Sequence, residues 1–361
     1  MLRLLSAMAM ISTTLAMSVL TPGANVVVVG GGAIQSLAAR LAALRGFSTT
    51  VALPEQDMGT ARALIFDDAN PEGTLPVKLM AISGPEADSP TIEACVENAE
   101  GLIICFDNEQ AFMPESAMKI FTAGGNLKHI ALMSRYLNGE GMGFFPNAAK
   151  VAANSEIWAG TDAFVKQFKT QDAMIQTRAK ELGASYTIIR AGTLKGGASA
   201  DAAIAEGGGE SDFLNPFFYT LGQQDVVSLV PLRCVLRRLG GLCCLAARVQ
   251  CTRRPRAHRS PPHGLLRGSL SQVNWRLLYD CACLDVELKA GDTMAGPGFT
   301  AALTATSPEG GAGDSHRGGV AAALVESLRV EAALNKDFSV AAQKGEKFPP
   351  PDKWAGMFAS A

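Results

Sequence analysis

The stretch that most constrains this chain lies near its start. Residues 25–30 read NVVVVG, with four valines in succession. A short, unbroken β-branched run of this kind reads as a parallel strand buried on both faces. Three glycines follow at 30–32, and Leu37, Leu41 and Leu44 then recur at helical spacing. Gly46 stands where a C-terminal helix cap would sit, and residues 49–53 (TTVAL) restore a strand. A strand, a glycine turn, a helix and a second strand within about 30 residues make one βαβ module.

The alternation continues along the chain. Residues 77–82 (VKLMAI), 102–106 (LIICF), 128–134 (KHIALMS) and 186–190 (YTIIR) read as further strands. Helical patterns separate them at 89–99, 110–123 and 158–182. Near the end, 299–306 alternates as a strand, 317–329 is helical, and 336–340 (KDFSV) is a short strand. Strands alternating with helices predict an α/β fold, a doubly wound parallel sheet in three layers.

Composition agrees with a packed chain. Of 361 residues, 48% are hydrophobic and 18% charged, which excludes disorder over most of the length. The net charge of −2 conceals an asymmetry. Between Arg233 and Arg276 the chain carries ten Arg and no Lys, Asp or Glu, leaving −12 for the rest. Six of the eight cysteines lie in or just beyond that stretch, at 234, 243, 244, 251, 281 and 283. Residues 233–284 therefore read as an insertion, either unpacked or even a translated intron. A basic interaction arm is a second reading. Nucleic acid is not expected, because Lys is missing and Trp275 is nearly the only aromatic there. A metal site is not expected either, because no Cys-x-x-Cys spacing appears.

Residues 1–24 are acid-free and Ser/Thr-rich, carry a basic residue near the start at Arg3, and hold an apolar run. These features predict a targeting leader that leads to a plastid, with mitochondrial and secretory routes as alternatives. The body is then one domain over 25–345, interrupted at 233–284, with a tail at 346–361 that opens on KFPPP. No transmembrane span is expected in the mature chain.

The glycine turn is the first candidate site. Its spacing is Gly30-x-Gly32-x-x-Gln35. In a dinucleotide fingerprint the first two glycines permit a tight turn and a close approach to the diphosphate, and the helix start at Ala33 and Ile34 points its amides at that anion. Gln35 stands where a third glycine is usual. The competing reading is a strand–helix turn that binds nothing. Glu55, just beyond the second strand, is placed to accept from a ribose hydroxyl; it is equally a solvated loop carboxylate. NAD or NADP is expected, with the preference open.

The order of glycine turn, LIICF, HIALMS, a Lys-bearing helix and YTIIRAG resembles the atypical short-chain dehydrogenase/reductase family, a group of NmrA-like, NAD(P)H-binding proteins with many plastid members. Further matching stretches are EACVENAEGLII at 93–104, YTIIRAGTL at 186–194 and SHRGGVAAALVESL at 315–328. The resemblance spans about 25–232 and 286–340 and implies a Rossmann-like fold. It implies cofactor contacts at Gly30, Gly32, Ala33, Ile34, Glu55, Phe106, Ser134, Arg190, Ala191 and Gly192. It also puts Ser134 and Lys169 near the reacting ring. Catalytic members carry Tyr-x-x-x-Lys, whereas here Val165 precedes Lys169 at that spacing and Tyr136 is the nearest phenol. The resemblance thus implies an oxidoreductase with weak or lost catalysis; the alternative is a non-catalytic assembly or regulatory factor, with a small molecule or a protein as further partner.

Overall fold

A computed structural model describes residues 19–66, 70–85, 87–107, 112–134, 162–195, 284–291, 314–343, 345 and 348–361. In chain order the elements are β1 (Asn25–Gly31), α1 (Ala33–Leu44), β2 (Ser48–Pro54), α2 (Met58–Ile65), β3 (Val77–Ile82), α3 (Ser89–Val96), β4 (Gly101–Phe106), α4 (Glu115–Phe121) and β5 (His129–Ser134). They continue with α5 (Asp162–Leu182), β6 (Ser185–Ala191), β7 (Thr193–Lys195), β8 (Asp285–Ala290), β9 (Asp314–His316), α6 (Arg317–Ser327), β10 (Lys336–Gln343) and α7 (Lys353–Ser360). The main sheet has eight strands in the order β3-β2-β1-β4-β5-β6-β10-β8, while β7 and β9 form a separate parallel pair. Every pairing in the main sheet is parallel except that of β8 with β10. The strand order reverses between β1 and β4. This is the Rossmann-like doubly wound arrangement that the sequence pattern predicts.

The valine run shows why a parallel sheet forms. Successive side chains of a strand point to opposite faces. Val26 and Val28 enter one core with α1, α2, α6 and α7. Val27 and Val29 enter the other with α3, α4 and α5. All four are at most 2% exposed, so only a strand covered on both faces accommodates them. Burial of each such side chain contributes about 1.5–3 kcal/mol.

Helix α6 lies against α1 on the first face. The facing surfaces are rich in alanine, with Ala38, Ala39 and Ala42 on α1 and Ala321, Ala322 and Ala323 on α6, all buried. Small residues let the two axes approach closely. Glu326, 2% exposed, accepts from Arg45 at 2.5 Å and from Arg329 at 2.8 Å, tying the far ends of the two helices.

Three boundaries differ from the sequence expectation. The helix expected over 110–123 starts only at Glu115, because Pro114 holds an extended backbone just before it (φ −66°, ψ 159°). The tail after KFPPP is no appendage: α7 buries Trp354 and Phe358, and Phe358 packs edge-on against Phe338 at 4.9 Å. The prolines turn the chain back onto the sheet, and the Trp354 indole donates to the Pro349 carbonyl. Strand β8, which periodicity did not reveal, closes the sheet edge with Val286 and Leu288 turned inward.

Residues 19–24 are built into the same body. Leu20 is 4% exposed and its N–H donates to the Leu328 carbonyl, while Gly23 N–H donates to Gly46. A leader removed after Ala24 would take these contacts with it. The remaining leader residues 1–18, residues 233–283 of the insertion and the strand expected at 299–306 lie outside the described residues. Among the described residues no helix is long and apolar enough to cross a membrane.

Candidate functional site

The β1–α1 turn sits where the strand order reverses, the place at which open α/β sheets leave a crevice beyond their carboxyl ends. Gly30 (φ +141°) faces β4 so closely that an added Cβ would fall 1.6 Å from the Cys105 carbonyl oxygen. Gly32 (φ +83°) has its Cβ position 2.4 Å from the Cβ of Asp107. Both positions therefore require glycine for backbone reasons. Gly31, between them, has open space where its Cβ would be. Helix α1 begins at once, with Ala33 and Ile34 buried, so only their backbone amides can serve a ligand.

Gln35 explains how the turn manages without a third glycine. Its side chain is 2% exposed, and its amide donates to the carbonyls of Val28 at 3.2 Å and Ala52 at 2.7 Å. The larger residue is accommodated because β1 and β2 satisfy both donated hydrogens.

Two charged residues meet the turn that sequence reading did not single out for it. Asp107, one residue past β4, places Oδ2 3.4 Å from the Ala33 N–H. Its Oδ1 accepts from Arg317 Nε at 2.8 Å. Arg317 is the first residue of α6, and the preceding His316 caps that helix by accepting from the Gly318 N–H at Nδ1. This cap lies buried, edge-on to Phe348 at 5.2 Å. Glu55 is exposed just past the end of β2, and Phe106 is partly buried at the end of β4.

A second cluster lies at the carboxyl ends of β5 and β6. Ser134 ends β5 and is 2% exposed. The α5 residue that answers to it is Asp172, whose charged form the Ser134 hydroxyl favours. Arg190 donates to Asp172 at 2.7 Å, and through two nitrogens to Asp337 of β10 at 2.8–2.9 Å. Burial pushes Asp172 up to about pH 6 against the opposing pull of Arg190 and Ser134, with Asp337 adding to the rise.

The residues implied by the resemblance fall into two groups. The turn brings Gly30, Gly32, Ala33 and Ile34 together at the carboxyl end of β1, where the strand order reverses. At the other end, Arg190 is committed to two carboxylates, Ala191 is core, and the Gly192 N–H donates to Ser315 Oγ, which itself donates to the Val340 carbonyl. The structure thus gives these three residues partners inside the protein. Lys169 is exposed on α5, just under one turn before Asp172. Tyr136 lies outside the described residues.

Other titratable groups belong to the core. Thr187 donates to the Ala333 carbonyl, so it accepts from His129 Nε2 at 2.9 Å. Full burial pulls His129 down to about pH 3, so it stays neutral. Burial likewise pushes the Cys105 thiol far above its usual range. Among the described residues no group of three His, Cys, Asp or Glu side chains could hold a metal ion.

No family model matches the chain, and no curated protein is similar to it. Solved structures share its outline. A Rossmann-fold NAD(P)-binding family protein from Shigella flexneri is similar at 11% identity and a TM-score of 0.40, over 90% of this chain and 97% of that one. A short-chain dehydrogenase/reductase superfamily protein from Agrobacterium tumefaciens, solved with bound NAD, is similar at 9% identity and a TM-score of 0.39, over 93% and 81%. Yeast methylglyoxal/isovaleraldehyde reductase, solved with NADPH, is similar at 10% identity and a TM-score of 0.33, over 50% and 65%. At such identities the likeness is one of fold and assigns no activity.

Proposed function

We propose that the chain binds a nicotinamide dinucleotide, with the diphosphate against the amides of the 30–34 turn and the nicotinamide toward Ser134. The observation that carries this reading is the turn itself. Gly30 and Gly32 are closed to any side chain, and the turn opens a helix at the reversal of strand order. Backbone amides at such a helix start attract an anion. Glu55 is the acceptor for a ribose hydroxyl on this reading, which favours NAD.

A bound nicotinamide would supply hydride, and a carbonyl substrate would then need a proton. On this reading the chain lacks a phenol at the usual place, since Val165 stands four residues before Lys169. General acid–base help of this kind is worth about 10²- to 10⁴-fold. The reading is therefore an atypical short-chain oxidoreductase with slow or lost turnover. The occupied state of Arg190 and the burial of Ser134 favour the second form of it, a cofactor-binding assembly or regulatory factor without catalysis.

Gly31→Asp tests the site. Its side chain meets open space, so the fold should persist while the new carboxylate repels the diphosphate. NADH and NADPH should raise the melting temperature of the parent and fail to raise that of the variant. Equal stabilisation of both would move the cofactor elsewhere. A plastid address remains part of the proposal, with any cleavage falling before Leu20; a mature N-terminus beyond Ala24 would refute that boundary.

A further inference from the structure

The geometry points to a charged latch on the glycine turn: Asp107 holds the place of an anion at the first amide of α1, and Arg317, which holds it there, is the cation that a diphosphate takes over. The latch rests on the dinucleotide reading above and adds a regulated binding step to it.

Four observations meet at this place. The Asp107 backbone N–H donates to the Gly31 carbonyl at 3.0 Å, so residue 107 is fixed to the turn by its main chain. Its carboxylate reaches the first amide of α1 at 3.4 Å, which is the long limit of a hydrogen bond. Its bond to Arg317 is shorter, at 2.8 Å, and charge-assisted. The side chains of Asp107 and Arg317 are 20% and 16% exposed, so they are within reach of a solute while partly screened from water.

The electrostatics follow from the elements. The amino end of α1 is positive through its helix dipole, and Arg317 adds a full charge at the start of α6. Among the described residues the carboxylate of Asp107 faces both. An arriving diphosphate carries more negative charge than that carboxylate and presents more acceptor oxygens. It therefore competes for the amide that Asp107 holds by its weaker bond, and for the guanidinium fork that suits phosphate geometry. Rotation of the Asp107 side chain about its own Cα–Cβ bond clears the amide without moving the backbone. A ligand bearing a single carboxylate merely trades one carboxylate for another and gains nothing. The latch thus selects for phosphate-rich ligands, and it lowers their apparent affinity by the fraction of molecules in which it is closed.

The test compares the full-length parent with Asp107→Asn and Arg317→Gln, titrated calorimetrically with NADH, NADPH and inorganic pyrophosphate. Asp107→Asn should bind all three about tenfold tighter or more, because the competing charge is gone. Arg317→Gln should bind them about tenfold weaker, because the cation is gone and Asp107 still repels. A purely structural ion pair would give neither gain nor tightening in the first variant. Unchanged or weaker binding by Asp107→Asn overturns the latch, as does unchanged binding by Arg317→Gln. Should Asp107→Asn fail to fold, Asp107→Ser carries the same expectation. If NADH and NADPH bind no variant while pyrophosphate keeps the predicted order, the dinucleotide reading falls and the latch stands. If pyrophosphate binds none of them, both fall.

Discussion

The two ends of the proposed crevice are built by different means. At the β1–α1 turn the backbone sets the shape: Gly30 and Gly32 are required by their neighbours, and helix α1 begins at once. At the β5–β6 end, side chains do it. Arg190 is 7% exposed and stands between Asp172 and Asp337, which close on it from α5 and β10. The first end is held by steric fit to Cys105, on the strand next to β1. The second is held by charges, one of whose pairs joins residues 147 positions apart in sequence. The backbone device tolerates no added atom at Gly30 or Gly32, while a charge device tolerates change according to pH and to the geometry of its replacement.

The largest effect should come from Gly30→Ala. The new Cβ would lie 1.6 Å from the Cys105 carbonyl oxygen, and that oxygen belongs to β4, a strand paired on both sides. Neither atom can step aside. A φ of +141° adds strain for any L side chain. We expect a loss of more than about 4 kcal/mol, seen as little soluble protein or a collapse of the unfolding midpoint. A variant within about 1 kcal/mol of the parent would show that the turn bends more easily than its contacts imply.

This difference also decides how much the sequence disclosed. The turn is legible because its parts are contiguous: four valines, three glycines and a leucine helix read off one stretch. The same holds for the parallel strands β1 to β6, each a short, mostly apolar run between helical patterns. The charge clusters are not legible in this way. Asp107 reads as a loop residue and Arg317 as a helix start; nothing local says that 210 positions of separation close to 2.8 Å. Asp172 shows the same limit. A Lys on α5 was the expected neighbour of Ser134, yet the helix turns Phe168, Asp172 and Ile175 inward and leaves Lys169 exposed. The one usable signal was spacing: Phe168, Asp172, Ile175 and Ala179 recur at helical intervals, and a carboxylate within such a stripe is a buried one. The insertion at 233–284 hid β8 for a related reason. A six-residue strand cannot announce itself beside an Arg- and Cys-rich run that breaks the pattern.

Arg190→Met should have the next largest effect, and it probes the second end. Methionine replaces the aliphatic stem of Arg190 but leaves Asp172 and Asp337 without the cation between them. Removing one partner of a buried ion pair costs about 3–5 kcal/mol, and the partial exposure of Asp337 places the expected loss near the lower figure. Chemical denaturation at neutral pH measures it. Arg190→Lys should recover only part of the loss, because a single ammonium cannot fork toward two carboxylates as the guanidinium does. Full recovery by Lys would mean that charge alone, without geometry, holds this end, and the contrast between the two ends would narrow.

The smallest effect is a matter of pH. Asp172 is raised from 3.8 to about 6 in the folded chain, chiefly by burial, against the favourable pull of Arg190 and the Ser134 hydroxyl and with Asp337 pushing the same way as burial. The folded state therefore holds the Asp172 proton more tightly than the unfolded chain does. Its contribution to stability is complete below pH 3.8 and is lost as the pH rises through about 6. Asp172→Asn mimics the protonated acid at every pH while still accepting from Arg190. Measured against the parent, the variant should gain roughly 1 kcal/mol between pH 5 and pH 8, since only the parent loses a bound proton across that window. At pH 5 the two should differ little. A pH-independent gap between Asp172→Asn and the parent would mean that Arg190 keeps Asp172 ionised throughout. The second end would then be a permanently charged clamp, insensitive to pH, and the two ends would differ only in what they are made of.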